Sequence, residues 1–278
     1  MYLAHFGLTE RPFGITPDTS FIYSAAAHQA ALNTLLIGLG SGEGFIKITG
    51  EVGTGKTLLC RRFLSSLGGD YFTLYIPNPS IAPIPLLLAV AEELGLKLEA
   101  DESQFQLVKH INRRLLDLSK EGKTVVCCVD EAQAAPLESL EALRLLSNLE
   151  TEKHKLIHVV LFGQPELDRN LSDPSVRQLQ QRIAFHYHLP SLHWDEFEHY
   201  LSHRLKIAGH HGMPLFSQGA ARRLFKYSRG VPRLVNILAN KSLLAAFGEG
   251  KPIVKPRHVT AAARDTEGVK PGWFGWLG

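Results

Sequence analysis

The densest chemistry in this chain lies in eight residues, GEVGTGKT, from Gly50 to Thr57. They fit G-x-x-x-x-G-K-[ST] at every fixed position. They follow the β-rich run FIKIT and precede a helical pattern, the setting that a phosphate-binding loop requires. Gly50, Gly53 and Gly55 let backbone N–H groups turn toward phosphate oxygens, and the helix N-terminus that follows adds its dipole. Glu51, Val52, Thr54 and Leu58 complete the expected contact set. Lys56 is expected to reach the β- and γ-phosphates of ATP, and Thr57 to bind Mg2+. The other reading, a chance glycine-rich turn, explains neither the lysine nor its context.

A second stretch, VVCCVDE, supplies the acids. Asp130 follows a continuous apolar run and is expected to hold Mg2+ through water, while Glu131 polarises the attacking water. Gln164 ends the next apolar run, in VVLFGQPEL, where a polar side chain can bridge the water and the γ-phosphate. The bland alternative for it is a turn residue before Pro165. Two arginines, Arg177 and Arg182, precede the last strand pattern in SVRQLQQRIAFHY. An arginine supplied across a subunit interface stabilises transition-state charge, and Arg182 is the better placed of the two. A solvated helix face accounts equally well for either one alone. In YSRGVPRLVN, Arg233 follows a Gly-Val-Pro turn that starts a helix. It is a candidate to report the γ-phosphate; a helix-start salt bridge is the alternative.

The elements that must position these residues follow from periodicity. The runs FIKIT, YFTLYI, TVVCCV, LIHVVLFG and IAFHYHL read as strands, separated by helical patterns. TVVCCV has the continuous apolarity of a strand buried on both faces. The helix after Ser103 begins on an N-cap and ends at Gly122. Alternation of this kind predicts an α/β fold, a five-stranded parallel sheet covered by helices. From Trp194 onward only helical patterns remain, over about 194–209, 217–228, 232–248 and 256–265. The expected division is a lead-in and nucleotide-binding core over 1–191, a helical lid over 192–266, and an aromatic tail over 267–278.

Composition sets the bounds. The chain has 278 residues, 45% hydrophobic and 21% charged, enough for a substantial core. A net charge of +3 does not by itself argue for nucleic acid. Three cysteines, two of them adjacent, offer no disulfide framework and suit a reducing compartment. The first residues lack a signal-peptide pattern, and no stretch approaches a membrane span, so a cytoplasmic protein is expected.

Taken in order, FGLTERPFGITPD, GEVGTGKT, VDEAQ, GQPEL, QLQQRI and GVPR resemble the AAA+ ATPases, and within them the secretion and pilus branch of the ExeA/GspA type. At this chain length the set is most similar to the ATPases of MSHA pilus biogenesis. The resemblance covers nearly the whole chain. It implies ATP and Mg2+, a helical lid, and ring-like homo-oligomers that act on inner-membrane pilus or secretion proteins, with peripheral contact at that membrane. It also implies that Arg233 is the sensor-2 arginine and Arg182 the trans-acting finger. Where many AAA+ proteins carry Asn, Ser or Thr, this chain has Gln164.

The ending PGWFGWLG, with Trp273, Phe274, Trp276 and Leu277, suits a membrane interface or a partner's groove more than a tail folded on its own domain. His186 and His188 share a strand face, but no third ligand is spaced to make a metal site. A two-domain helicase needs a second set of strands that the helical C-terminal part lacks. A DNA-dependent AAA+ ATPase, of the transposition-helper or replication-initiator type, is the functional alternative. Its candidate contacts are Arg61-Arg62, Arg113-Arg114, Arg222-Arg223, Lys226 and Arg257.

Overall fold

The computed structural model describes residues 1–16, 21, 23, 25–98, 102–148 and 155–269. It divides into two compact units. One comprises Ala26–Glu51 and Leu59–Leu189; the other comprises Met1–Ala25, Val52–Leu58 and the chain from Pro190 onward. In chain order the first elements are α1 (Tyr2–His5), α2 (Ala26–Gly40), β1 (Phe45–Gly50), α3 (Lys56–Ser66) and β2 (Tyr71–Ile76). Then come α4 (Pro83–Glu93), α5 (Gln104–Lys120), β3 (Thr124–Val129), α6 (Leu137–Ser147) and β4 (Ile157–Gly163). The last are α7 (Glu166–Leu171), α8 (Arg177–Gln180), β5 (Ile183–Leu189), α9 (Trp194–Ile207), α10 (Gln218–Ser228), α11 (Pro232–Gly248) and α12 (Pro256–Arg264).

The strands form one parallel sheet in the order β2-β3-β4-β1-β5. Neighbours in sequence are therefore not always neighbours in space. β4 lies between β1 and β3, and β2 sits at the edge. Side chains on a strand alternate between faces, and here both faces are covered. Val125, Cys127 and Val129 join the core formed with Leu86, Leu107, Ile111 and Leu140. Val126 and Cys128 join the opposite core with Leu35, Leu59 and Phe63. This explains why β3 reads as an unbroken apolar run. Ser103 caps α5 as expected, in a reciprocal capping box with Gln106. Gly122 follows that helix at φ 75°, the conformation glycine tolerates best.

The lead-in packs with the C-terminal helices. Phe6, Leu8, Phe13 and Phe21 share a core with Phe197, Leu201, Leu224 and Leu238 of the C-terminal helices. The buried Arg204 of α9 fastens it, with Nε donating to Pro12 O at 2.6 Å and the guanidinium lying 4.6 Å from the Phe21 ring. Thr9 N–H also donates to Ala208 O at 2.8 Å. A short aromatic segment cannot bury its own rings, and the four-helix unit offers it an apolar face. The C-terminal tail with Trp273, Phe274, Trp276 and Leu277 lies outside the described residues.

Candidate functional site

The loop after β1 belongs with the C-terminal helices, and the YSRGVPR turn shows why. α10 ends with Arg229 in the left-handed region at φ 52°. Gly230 follows at φ 73°, and a Cβ there would lie 2.2 Å from Leu192 O. Leu192 N–H donates to Gly230 O at 3.0 Å, so two backbones cross at this residue. Pro232 then opens α11, and the Arg233 N–H donates to Gly53 O at 3.2 Å. A Cβ on Gly53 would come within 2.5 Å of Arg233 Cβ. Gly53 is thus constrained twice, by its φ of 82° and by the arginine stem against it. The exposed Arg233 guanidinium makes no salt bridge or hydrogen bond among the described residues, so the helix-start salt bridge is not what holds it.

The rest of the loop suits a polyphosphate. Gly55 stands at φ 100°, Thr54 is fully buried, and Lys56 begins α3 with only 5% of its surface exposed. A buried lysine beside a glycine-rich turn at a helix N-terminus is a donor set for an anion. The Thr57 hydroxyl and the Asp130 carboxylate are hard oxygen ligands of the kind Mg2+ takes. Glu51 and Val52 are exposed, while Leu58 is half-buried at the start of α3.

In the sheet unit, Gly50, Asp130 and Gln164 all stand at the C-terminal edge of their strands, with Thr49 of β1 level with Gly163 of β4. Asp130 is 2% exposed. Its Oδ1 accepts the Glu131 N–H at 3.0 Å, and its Oδ2 accepts the Tyr75 hydroxyl at 3.3 Å. Burial, with Asp130 adding to it, pushes the Tyr75 hydroxyl up to about 12, so it remains a donor at neutral pH. Glu131 sits in the left-handed region at φ 52°, ψ 36°. Two amides converge on its Oε2: Gln133 Nε2 at 2.6 Å and Gln164 Nε2 at 3.0 Å. Tyr75 and Gln133 are members of this cluster that the sequence left without a role. Gln133 stands two residues past Glu131 within the motif VDEAQ; Tyr75 comes from an edge strand whose place beside β3 no local pattern reveals.

Arg182 lies elsewhere on the sheet. Ile183 pairs with Phe45, so Arg182 is at the N-terminal edge, opposite Gly50. The six residues of β1 separate those edges by roughly 20 Å. Arg182 Nη1 donates to Ser147 Oγ at 3.4 Å, beside a cavity of about 290 Å³ lined also by Glu43, Lys155 and Gln181. Arg177 is exposed at the start of α8. His188 Nδ1 meets Thr49 Oγ1 at 3.3 Å, and no group of three metal-binding side chains occurs among the described residues.

A five-stranded parallel sheet with a glycine-rich loop after β1, an acid pair after β3, and a helical C-terminal part together have the fold of a P-loop NTPase with an AAA core. Residues 39–171 match the family model described as AAA domain. The chain is also similar to General secretion pathway protein A of Aeromonas hydrophila, 38% identical over 296 aligned residues that take in 99% of this chain. It spans about half of that relative's length, 54%. Among solved structures, the ORC2 protein of Aeropyrum pernix aligns with a TM-score of 0.63 and 18% identity, over 92% of this chain and 73% of its own. The RuvB Holliday junction branch migration motor of Thermotoga maritima aligns at 0.58 with 16% identity, over 91% and 73%. At these identities the likeness is one of fold.

Proposed function

We propose that this chain is an ATP hydrolase of the secretion and pilus-biogenesis branch of the AAA+ ATPases. The observation that carries the reading is Glu131, set beside the buried Asp130 at the end of β3 and gripped by two amides. Lys56 and the loop N–H groups hold the ATP phosphates. Thr57 and Asp130 hold Mg2+, which neutralises charge on the phosphates when bound. Glu131 orients a water for attack and accepts its proton, and Gln164 fixes the carboxylate. Arg233, whose backbone binds the loop at Gly53, senses the γ-phosphate and couples it to α11. Arg182 serves a neighbouring protomer's site in a ring-like homo-oligomer.

The similarity to General secretion pathway protein A supports a role in secretion; the partners in this reading are inner-membrane assembly proteins of a type II secretion-like system or an MSHA-type pilus. No helix among the described residues is long and apolar enough to cross a membrane. In this reading the chain is a cytoplasmic ATPase that meets the inner membrane through partners or at its surface. The turnover of ATP, measured with and without duplex DNA at two salt concentrations, tests it against the DNA-dependent alternative. Turnover indifferent to DNA is expected. Strong stimulation that fades with salt would assign the chain to the DNA-dependent class.

A further inference from the structure

The ends of β3 and β4 are joined through one side chain, Gln133. Its amide is engaged at both ends. Nε2 donates to Glu131 Oε2 at 2.6 Å, and Oε1 accepts the Gln164 N–H at 2.9 Å. The partners dictate that orientation. A backbone N–H only donates and an ionised carboxylate only accepts, so a flipped amide would set oxygen against oxygen and N–H against N–H. The Gln133 backbone carbonyl in turn accepts from Asn170 Nδ2 at 3.0 Å, which ties the residue to α7. Room for the side chain comes from Gly163. A Cβ there would stand 3.3 Å from Gln133 Oε1 and 2.7 Å from Leu167 Cδ2.

Glu131 needs such a brace. It is one of two non-glycine residues at positive φ among the described residues, a conformation that surrounding contacts must hold in place. Both amides meet the same oxygen, Oε2, so Oε1 is the oxygen left to face a water. Gln164 alone would fix one contact. Gln133 adds a second and also holds the Gln164 backbone, so the end of β4 and the carboxylate are one hydrogen-bonded unit.

We infer that Gln133 is a positioning residue for ATP hydrolysis: it aims the Glu131 carboxylate and locks it to the end of β4. The inference rests on the reading of Glu131 as the base. It acts through Glu131 and touches no phosphate, so its loss should lower kcat and spare nucleotide binding.

The experiment compares steady-state ATP turnover of the full chain with Mg2+ in five forms: wild type, Gln133→Leu, Gln133→Glu, Glu131→Gln, and the double variant Gln133→Leu/Glu131→Gln. Gln133→Leu is expected to lower kcat about 10- to 100-fold, the scale of a misplaced catalytic group. KM for ATP should stay within about twofold of wild type. Gln133→Glu keeps an acceptor for the Gln164 N–H but sets a like charge against Glu131, and is expected to lose at least as much. In the Glu131→Gln background, Gln133→Leu should cost nothing further, because both substitutions act through one carboxylate. Wild-type turnover in Gln133→Leu overturns the inference, as does an equal loss in both backgrounds. Should Gln133→Leu fail to fold, full activity of Gln133→Glu overturns it instead. Equal turnover in wild type and Glu131→Gln removes the base assignment and the inference together; a difference there with an active Gln133→Leu removes the inference alone.

Discussion

Arg233 shows how a single position serves two links of the chain. Its backbone N–H binds Gly53 O, and its stem forbids any side chain at Gly53. Its guanidinium stays exposed and without a partner among the described residues, as a ligand-seeking arginine should. Arg233→Ala keeps the backbone bond and removes only the guanidinium. The melting temperature is expected to hold, while kcat/KM for ATP falls by about tenfold or more, the worth of a charge-assisted hydrogen bond of roughly 1.5–3 kcal/mol. Unchanged affinity and hydrolysis would reduce the turn to a structural one. The motif residues Lys56, Thr57, Asp130 and Glu131 were legible because their chemistry is local in sequence. Tyr75 and Gln133 were not. Their partners are set by strand order and by a left-handed residue at 131, and neither leaves a periodic trace.

At the scale of elements, hydrophobic period carried most of the information. Continuous apolarity in TVVCCV marked a strand covered on both faces, and the two cores on either side of β3 are the reason. The capping box at Ser103 and the glycine at 122 marked both ends of α5. The placement of the lead-in was not legible. Its aromatics show only that they must be buried; that α9 receives them, through Arg204 and Ala208, depends on surfaces far away in sequence. The GVPR turn was legible as a helix start. Its contact with Gly53 was not, because it joins residues 180 positions apart that no local rule connects.

At the scale of the whole molecule, Arg182 separates action within one chain from action between chains. It stands at the sheet edge opposite Gly50, roughly 20 Å away by strand rise. It therefore has no part at the strand ends of its own sheet, and the account gives it to a neighbour. Arg182→Ala and Glu131→Gln should each lower turnover steeply when present in every protomer. Mixed, they should regain it, because an Arg182→Ala protomer keeps Glu131 and receives an intact Arg182 from its neighbour. Mixtures that stay inactive would place Arg182 outside the reaction.

In the proposed mechanism Glu131 activates water against ATP held by the loop at Gly50–Thr57. Single-turnover and steady-state hydrolysis with Mg2+, in wild type and Glu131→Gln, test it most directly. Glu131→Gln is expected to retain ATP with near wild-type affinity while its turnover falls by about 100-fold or more, the contribution of a lost general base. Equal turnover in the two proteins would contradict it.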